Sequence, residues 1–116
     1  MSFVDVLDGL LKAPGALGAA FLDPQGQTIA EAGSTEVTEV MSAFQSVWLG
    51  ELTRASERAE LGRLQSLAFD FDTRRVLTAE VKHGYFLLVV FDRSGVTSMA
   101  RSRLEDVREL LAAEIG

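Results

Sequence analysis

The chain has 116 residues, with 17 acidic and 11 basic side chains, a net charge of -6 and no cysteine. Disulfide frameworks, thiolate metal sites and thiol nucleophiles are therefore excluded, and the negative sign opposes phosphate backbones, so nucleic acid is not an expected ligand. The length suits one domain over residues 1–116, and an apolar share of 47% suggests that part of the apolar surface meets a partner.

Ser2 can cap a helix in which Phe3, Leu7, Leu10 and Leu11 recur at helical spacing, with Asp5 and Asp8 on the wet side. Pro14 ends it. The N-terminus carries no basic stretch before an apolar core and no glycine for acylation, and no apolar run reaches the ~20 residues of a membrane helix. A cytoplasmic protein without membrane insertion is expected. From Ala16 to Asp23 both alternating sets are small or apolar, as in a strand covered on both faces. Asp23-Pro24-Gln25-Gly26 is strong turn chemistry, after which Gln27 to Ala32 reads as a polar edge strand.

Gly33 and Ser34 or Thr35 open the longest helical pattern. Val37, Val40, Met41, Phe44, Val47, Trp48, Leu52 and Ala55 project onto one broad stripe. That stripe is expected to bury against the helix's own core, and Leu49, which falls off it, to mark a second contact. The helix is expected to fray between Arg58 and Gly62.

Leu64 to Phe71 alternates, with Leu67, Phe69 and Phe71 on one face and Ser66, Ala68 and Asp70 on the other. After an Asp72-Thr73-Arg74 turn, Val76 to Lys82 reads as a further strand. His83-Gly84 fits a two-residue hairpin with both residues at positive φ. Tyr85 to Phe91 is almost continuously apolar and reads as the most deeply buried strand, closed by Asp92-Arg93-Ser94-Gly95. The final helix carries Leu104, Val107, Leu111 and Ile115 on one side. This order predicts a mainly antiparallel sheet with helices on both faces.

The catalytic inventory is empty. Pro14-Gly15-Ala16-Leu17-Gly18 lacks the lysine, the spacing and the following helix of a phosphate loop. His83, the only histidine, sits at a hairpin tip, where a turn role outweighs a base or metal-ligand role with Asp70 or Asp72. Those aspartates stand beside Arg74 and Arg75 and read as a solvated turn rather than an acid and base pair. Ser94 and Ser98 flank a helix start and read as caps, not nucleophiles. Arg54, Arg58, Arg63, Arg101, Arg103 and Arg108 read as solvated helix faces beside Glu57, Glu105 and Glu109. No enzyme, cofactor or metal site is expected.

The run from Leu10 to Gly26, with its Pro14-Gly15-Ala16-Leu17-Gly18 segment and Asp23-Pro24-Gln25-Gly26 turn, resembles the roadblock/dynein light chain family when set before the long helix and the Tyr85 to Phe91 strand. The resemblance covers essentially the whole chain. It implies an α+β, profilin-like fold: a five-stranded antiparallel sheet in the order two, one, five, four, three, with the first and last helices on one face and the long helix on the other. It also implies a homodimer, or a heterodimer with a paralogous subunit, in which the long helices pack together and the third strands pair. On that basis Val37, Met41, Phe44, Trp48, Leu49, Leu67, Phe69 and Phe71 are the dimer or partner interface candidates. Bacterial and archaeal members often work with small Ras-like GTPases, and the gliding-motility members stimulate hydrolysis as dimers. The implied function is a regulator or scaffold that binds such a GTPase, and the family brings no motif of catalytic residues.

Two other readings stand beside it. One is a structural adaptor for larger complexes without GTPase contact. The other is a small-molecule sensor, which needs a cavity between layers. Phe44, Trp48, Phe69, Phe71, Phe86 and Phe91 are expected to fill that space and close the core.

Overall fold

Tyr85–Asp92, the near-continuous apolar run, is the central strand of a five-stranded sheet. The computed structural model describes residues 2–93 and 98–115, without the side chains of residues 35, 37, 46 and 98–100. In chain order it forms α1 (Phe3–Leu10), β1 (Ala16–Leu22), β2 (Thr28–Gly33), α2 (Thr35–Arg58), β3 (Ser66–Asp70), β4 (Arg74–Lys82), β5 (Tyr85–Asp92) and α3 (Ser98–Ile115). The sheet runs β2-β1-β5-β4-β3 with every neighbouring pair antiparallel, the order that the resemblance implies.

Local chemistry sets the element ends. The Ser2 hydroxyl accepts from the Asp5 backbone N–H at 3.2 Å, capping α1. In the β1–β2 turn, Asp23 Oδ1 accepts from the backbone N–H groups of Gln25 and Gln27, each at 2.9 Å. His83 and Gly84 take φ of 53° and 85°, the hairpin geometry expected from the sequence. The expected Asp92 to Gly95 turn and the capping roles of Ser94 and Ser98 fall outside the described residues.

Strand periodicity divides the side chains between two layers. On one face Ala19, Phe21, Leu77, Leu87, Val89 and Phe91 bury under α1 and α3, which contribute Leu7, Leu10, Leu104, Val107 and Leu111. Phe3 and Tyr85 extend this layer, with ring centroids 5.0 and 5.7 Å from that of Phe21. Each fully buried side chain of this size contributes roughly 1.5–3 kcal/mol, so this is the main core.

Two of the arginines expected to be solvated bridge elements instead. Arg103 donates to the Gly9 carbonyl at the end of α1 at 3.3 Å, and Arg108 donates twice to the Glu80 carbonyl at 3.0 and 2.6 Å. Arg103 shares the Gly9 carbonyl with the Lys12 N–H, whereas the carbonyl at Glu80 lies where the pairing of β4 with β5 shifts register.

The opposite face is built differently. α2 crosses β1, β5 and β2, and it comes so near β1 that a Cβ on Gly18 would meet the Ser34 carbonyl oxygen and Thr38 Cγ2 at 3.0 Å. Only small or slender side chains fit such a contact. The side of α2 turned to the sheet carries buried Thr38, Ser42 and Gln45. Gln45 Oε1 accepts from the Thr78 hydroxyl of β4 at 2.8 Å, tying the helix to the far half of the sheet.

This corrects the expectation for the long helix. Met41 packs half-buried against Val76, Leu88 and Val90 as expected, but the rest of the described apolar stripe faces away from its own sheet, leaving Phe44 57% and Val47 63% exposed, with Val40, Trp48 and Leu52 exposed beside them. Leu49, expected to mark the second contact, is half-buried on the inner side.

Two glycines of opposite role test this packing. Gly18→Ala is expected to lower the urea midpoint, because the added methyl meets backbone. Gly50→Ala is expected to raise stability by about 0.5–1 kcal/mol, since its Cβ would meet nothing nearer than Arg54 guanidinium nitrogens at 3.8 and 4.0 Å.

Candidate protein-interaction face

The outward stripe of α2 follows helical spacing through Val40, Ala43, Phe44, Val47, Trp48 and Leu52 along a helix of 24 residues, or about 36 Å. The neighbouring edge of the sheet is apolar as well. On β3, Leu67 and Phe69 face the same side as α2, because they pair with Thr78 and Val76 of β4. Phe71 follows, 48% exposed.

The two walls meet through an edge-on contact between the rings of Trp48 and Phe69, with centroids 5.1 Å apart. Edge-to-face pairs add about 0.5–1.5 kcal/mol beyond burial. Beside that contact runs a groove of about 230 Å³, floored by Val76 and Leu88. Met41, Phe44, Trp48, Leu49, Leu67, Phe69 and Phe71 line it, so seven of the eight candidates from the sequence come together. The side chain of the eighth, Val37, lies outside the described residues. Val40 also lines the groove, and Val47 and Leu52 continue its apolar surface along the helix.

Among the described residues no strand pairs with the outer edge of β3, so its backbone donors and acceptors face outward. A soluble surface rarely holds a bare strand edge next to an unbroken apolar face without a partner for them.

The expectation of a closed core fails here. Of the six aromatics expected to fill it, Phe91 is fully buried, whereas Phe44, Trp48 and Phe71 are exposed. Because α2 lies over β1 and β5, large side chains on its outer side cannot reach the sheet, and open clefts flank the helix.

The end of β3 is charged. Asp70 pairs with Arg75, its cross-strand neighbour, through Nε and through NH2 at 3.2 Å, and with Arg93 at 3.0 Å. The Arg75 hydrogen bonds hold its carboxyl below the ordinary 3.8, reinforced by the charges of Arg75 and Arg93. A depressed carboxylate adds stability above its unfolded pKa and loses it as pH falls through the folded value. The acid and base reading of Asp70 with Asp72 gains no geometry, and His83 is an exposed turn residue. A carboxyl NMR titration is expected to place the Asp70 midpoint below 3.8, and Arg75→Gln to move it upward. An unshifted parent midpoint would show that these pairs do not persist in solution.

No protein-family model matches the chain, and no curated protein matches it. Solved structures do. MglB of Myxococcus xanthus superposes with a TM-score of 0.88 at 18% identity, covering 97% of this chain and 86% of that one. A roadblock/LC7 domain from Streptomyces avermitilis gives 0.86 at 16% identity, covering 97% and 96%. MglC of Myxococcus xanthus gives 0.69 at 19% identity, covering 98% and 99%. With its sheet order, its helices divided between the two faces and these superpositions, the chain has the roadblock/LC7 fold.

Proposed function

We propose that the chain is a dimeric regulator or scaffold that binds a small Ras-like GTPase, with α2 as its docking platform. The observation that carries this reading is the outward apolar stripe of α2 beside the unpaired edge of β3. One two-fold operation covers both at once, pairing β3 with β3 while the α2 stripes pack against each other. The shared fold with MglB and MglC supports a regulatory or scaffold role.

Phe44→Glu and Trp48→Glu are expected to give folded monomers by sedimentation, because both side chains leave the subunit's own core largely untouched. Leu49→Glu, on the inner side, is expected to destabilise the subunit itself. A parent chain that stays monomeric at high concentration would remove the dimer.

The partner is tested with a Ras-like GTPase from the same organism. Co-elution on a sizing column, together with a change in hydrolysis or nucleotide exchange, is the expected result. A dimer that forms no complex and changes neither rate would leave the structural adaptor as the reading.

A further inference from the structure

The unpaired margin of β3 has a fixed backbone polarity. The Phe71 N–H donates to the Arg74 carbonyl at 2.8 Å, and the Glu80 N–H to the Gln65 carbonyl at 2.7 Å. Bonded pairs alternate with unbonded ones in an antiparallel ladder, so Gln65, Leu67, Phe69 and Phe71 turn their backbone groups toward β4. Ser66, Ala68 and Asp70 turn theirs to the free edge. Their side chains are exposed on the face away from α2.

A second copy that meets this edge across a two-fold axis perpendicular to the sheet keeps each face on its own side. Residues of like parity then oppose one another, and the residue on the axis meets itself. Near the middle of the strand that residue is Leu67, Ala68 or Phe69. An Ala68 centre sets Ser66 against the second copy's Asp70, so every outward backbone group from Ser66 to Asp70 meets a strand residue. A Leu67 centre sets Asp70 against Leu64, and a Phe69 centre sets Ser66 against Asp72, both outside the strand.

The side chains select the same centre. Opposed residues bring their Cβ atoms to about 4.5–5.5 Å, so the axis suits the methyl of Ala68. On the groove side Leu67 then meets the second copy's Phe69, apolar against apolar, whereas a Leu67 centre would set Phe69 against the exposed Gln65. On the open side Asp70 meets a hydroxyl, whereas a Phe69 centre would bring the two Asp70 carboxylates diagonally together at about 7–8 Å. Asp70 already accepts from Arg75 and Arg93. A carboxylate has about four acceptor positions, which leaves room for the Ser66 hydroxyl.

We propose that β3 pairs with β3 of a second copy in the register centred on Ala68, and that Ser66 and Asp70 are the residues that select it. This rests on the dimer proposed above and specifies which residues of its strand edge meet.

The chain has no cysteine, so single cysteines introduced into the full chain report the register on oxidation with copper-phenanthroline. The Cα atoms of a bonded pair stand about 5.5 Å apart, inside the roughly 4.4–6.8 Å of a disulfide. Ala68→Cys is expected to give a covalent dimer on a non-reducing gel. Leu67→Cys and Phe69→Cys, each displaced along the edge from its own copy, are expected to stay single chains under the same exposure. Ser66→Asp, an exposed substitution that sets carboxylates opposite each other twice in the dimer, is expected to raise the dissociation constant roughly two- to thirtyfold, and Ser66→Lys to lower it. A parent chain that sediments as a monomer removes the dimer and this register with it. A parent dimer in which Leu67→Cys or Phe69→Cys joins first, in which none of the three joins, or in which Ser66→Asp changes nothing overturns the register and leaves the dimer standing.

Discussion

The close approach of α2 to Gly18 decides the character of the whole sheet face beneath it. With the helix backbone and Thr38 within 3.0 Å of where a side chain would stand, a row of leucines or phenylalanines has no room between helix and strand. The helix meets the sheet chiefly through threonine, serine and glutamine, with half-buried Met41 against Val76, Leu88 and Val90, and its large exposed apolar residues are left for the outside. Folding stability comes mainly from the other layer, where α1 and α3 cover Phe21, Leu87, Val89 and Phe91. Exposed apolar surface and stability are thereby assigned to opposite faces of the sheet, so the proposed docking of a partner on the outer side of α2 costs the subunit little.

The same approach leaves half of the sheet's second face thinly covered. α2 sits over β1, β5 and β2, so Leu67, Phe69 and Val76 reach it only from the side, through the Trp48–Phe69 contact and the groove next to it. The buried Gln45–Thr78 hydrogen bond links α2 to β4. Its effect exceeds its modest net strength, since breaking it exposes a buried hydroxyl and a buried amide to the cost of desolvation.

Much of this architecture is legible in the sequence. Tyr85 to Phe91 names the central strand, Asp23 to Gly26 and His83-Gly84 name the turns, and periodicity locates all three helices. The direction of the long helix's stripe is not legible from that helix alone, because periodicity shows that one face is apolar and not what the face meets. The signal that resolves it lies elsewhere in the chain, in Gly18 and Ala20. Two small residues on alternate positions of β1 call for a helix that comes close, and a close helix must turn its small residues inward. Arg103 and Arg108 show the same limit: their use depends on carbonyls at the end of α1 and at the Glu80 shift, which meet α3 only once the chain has folded. The open groove beside Trp48 escapes the sequence for the related reason that a count of bulky aromatics says nothing of whether they point inward.

The two edges of the sheet are treated differently, and the difference bears on the proposed dimer. β2 carries the usual protections of a free edge. Its pairing with β1 shifts between Phe21 and Leu22, and it places Glu31 on the face under α2, within 3.4 Å of the Thr38 hydroxyl. Another strand adding there would meet a twisted margin with a charge turned inward. β3 has none of these devices along Ser66 to Phe69, and its pairing with β4 runs without a shift up to Asp70, where Arg75 and Arg93 gather at its end. An edge left straight and uncharged beside an apolar helix face is an aggregation hazard in a lone subunit. It is tolerable where one specific partner strand covers it, and antiparallel self-pairing across a two-fold axis supplies that strand with no further sequence required. The asymmetry between β2 and β3 is what a chain would show if only one of its two margins were meant to be joined.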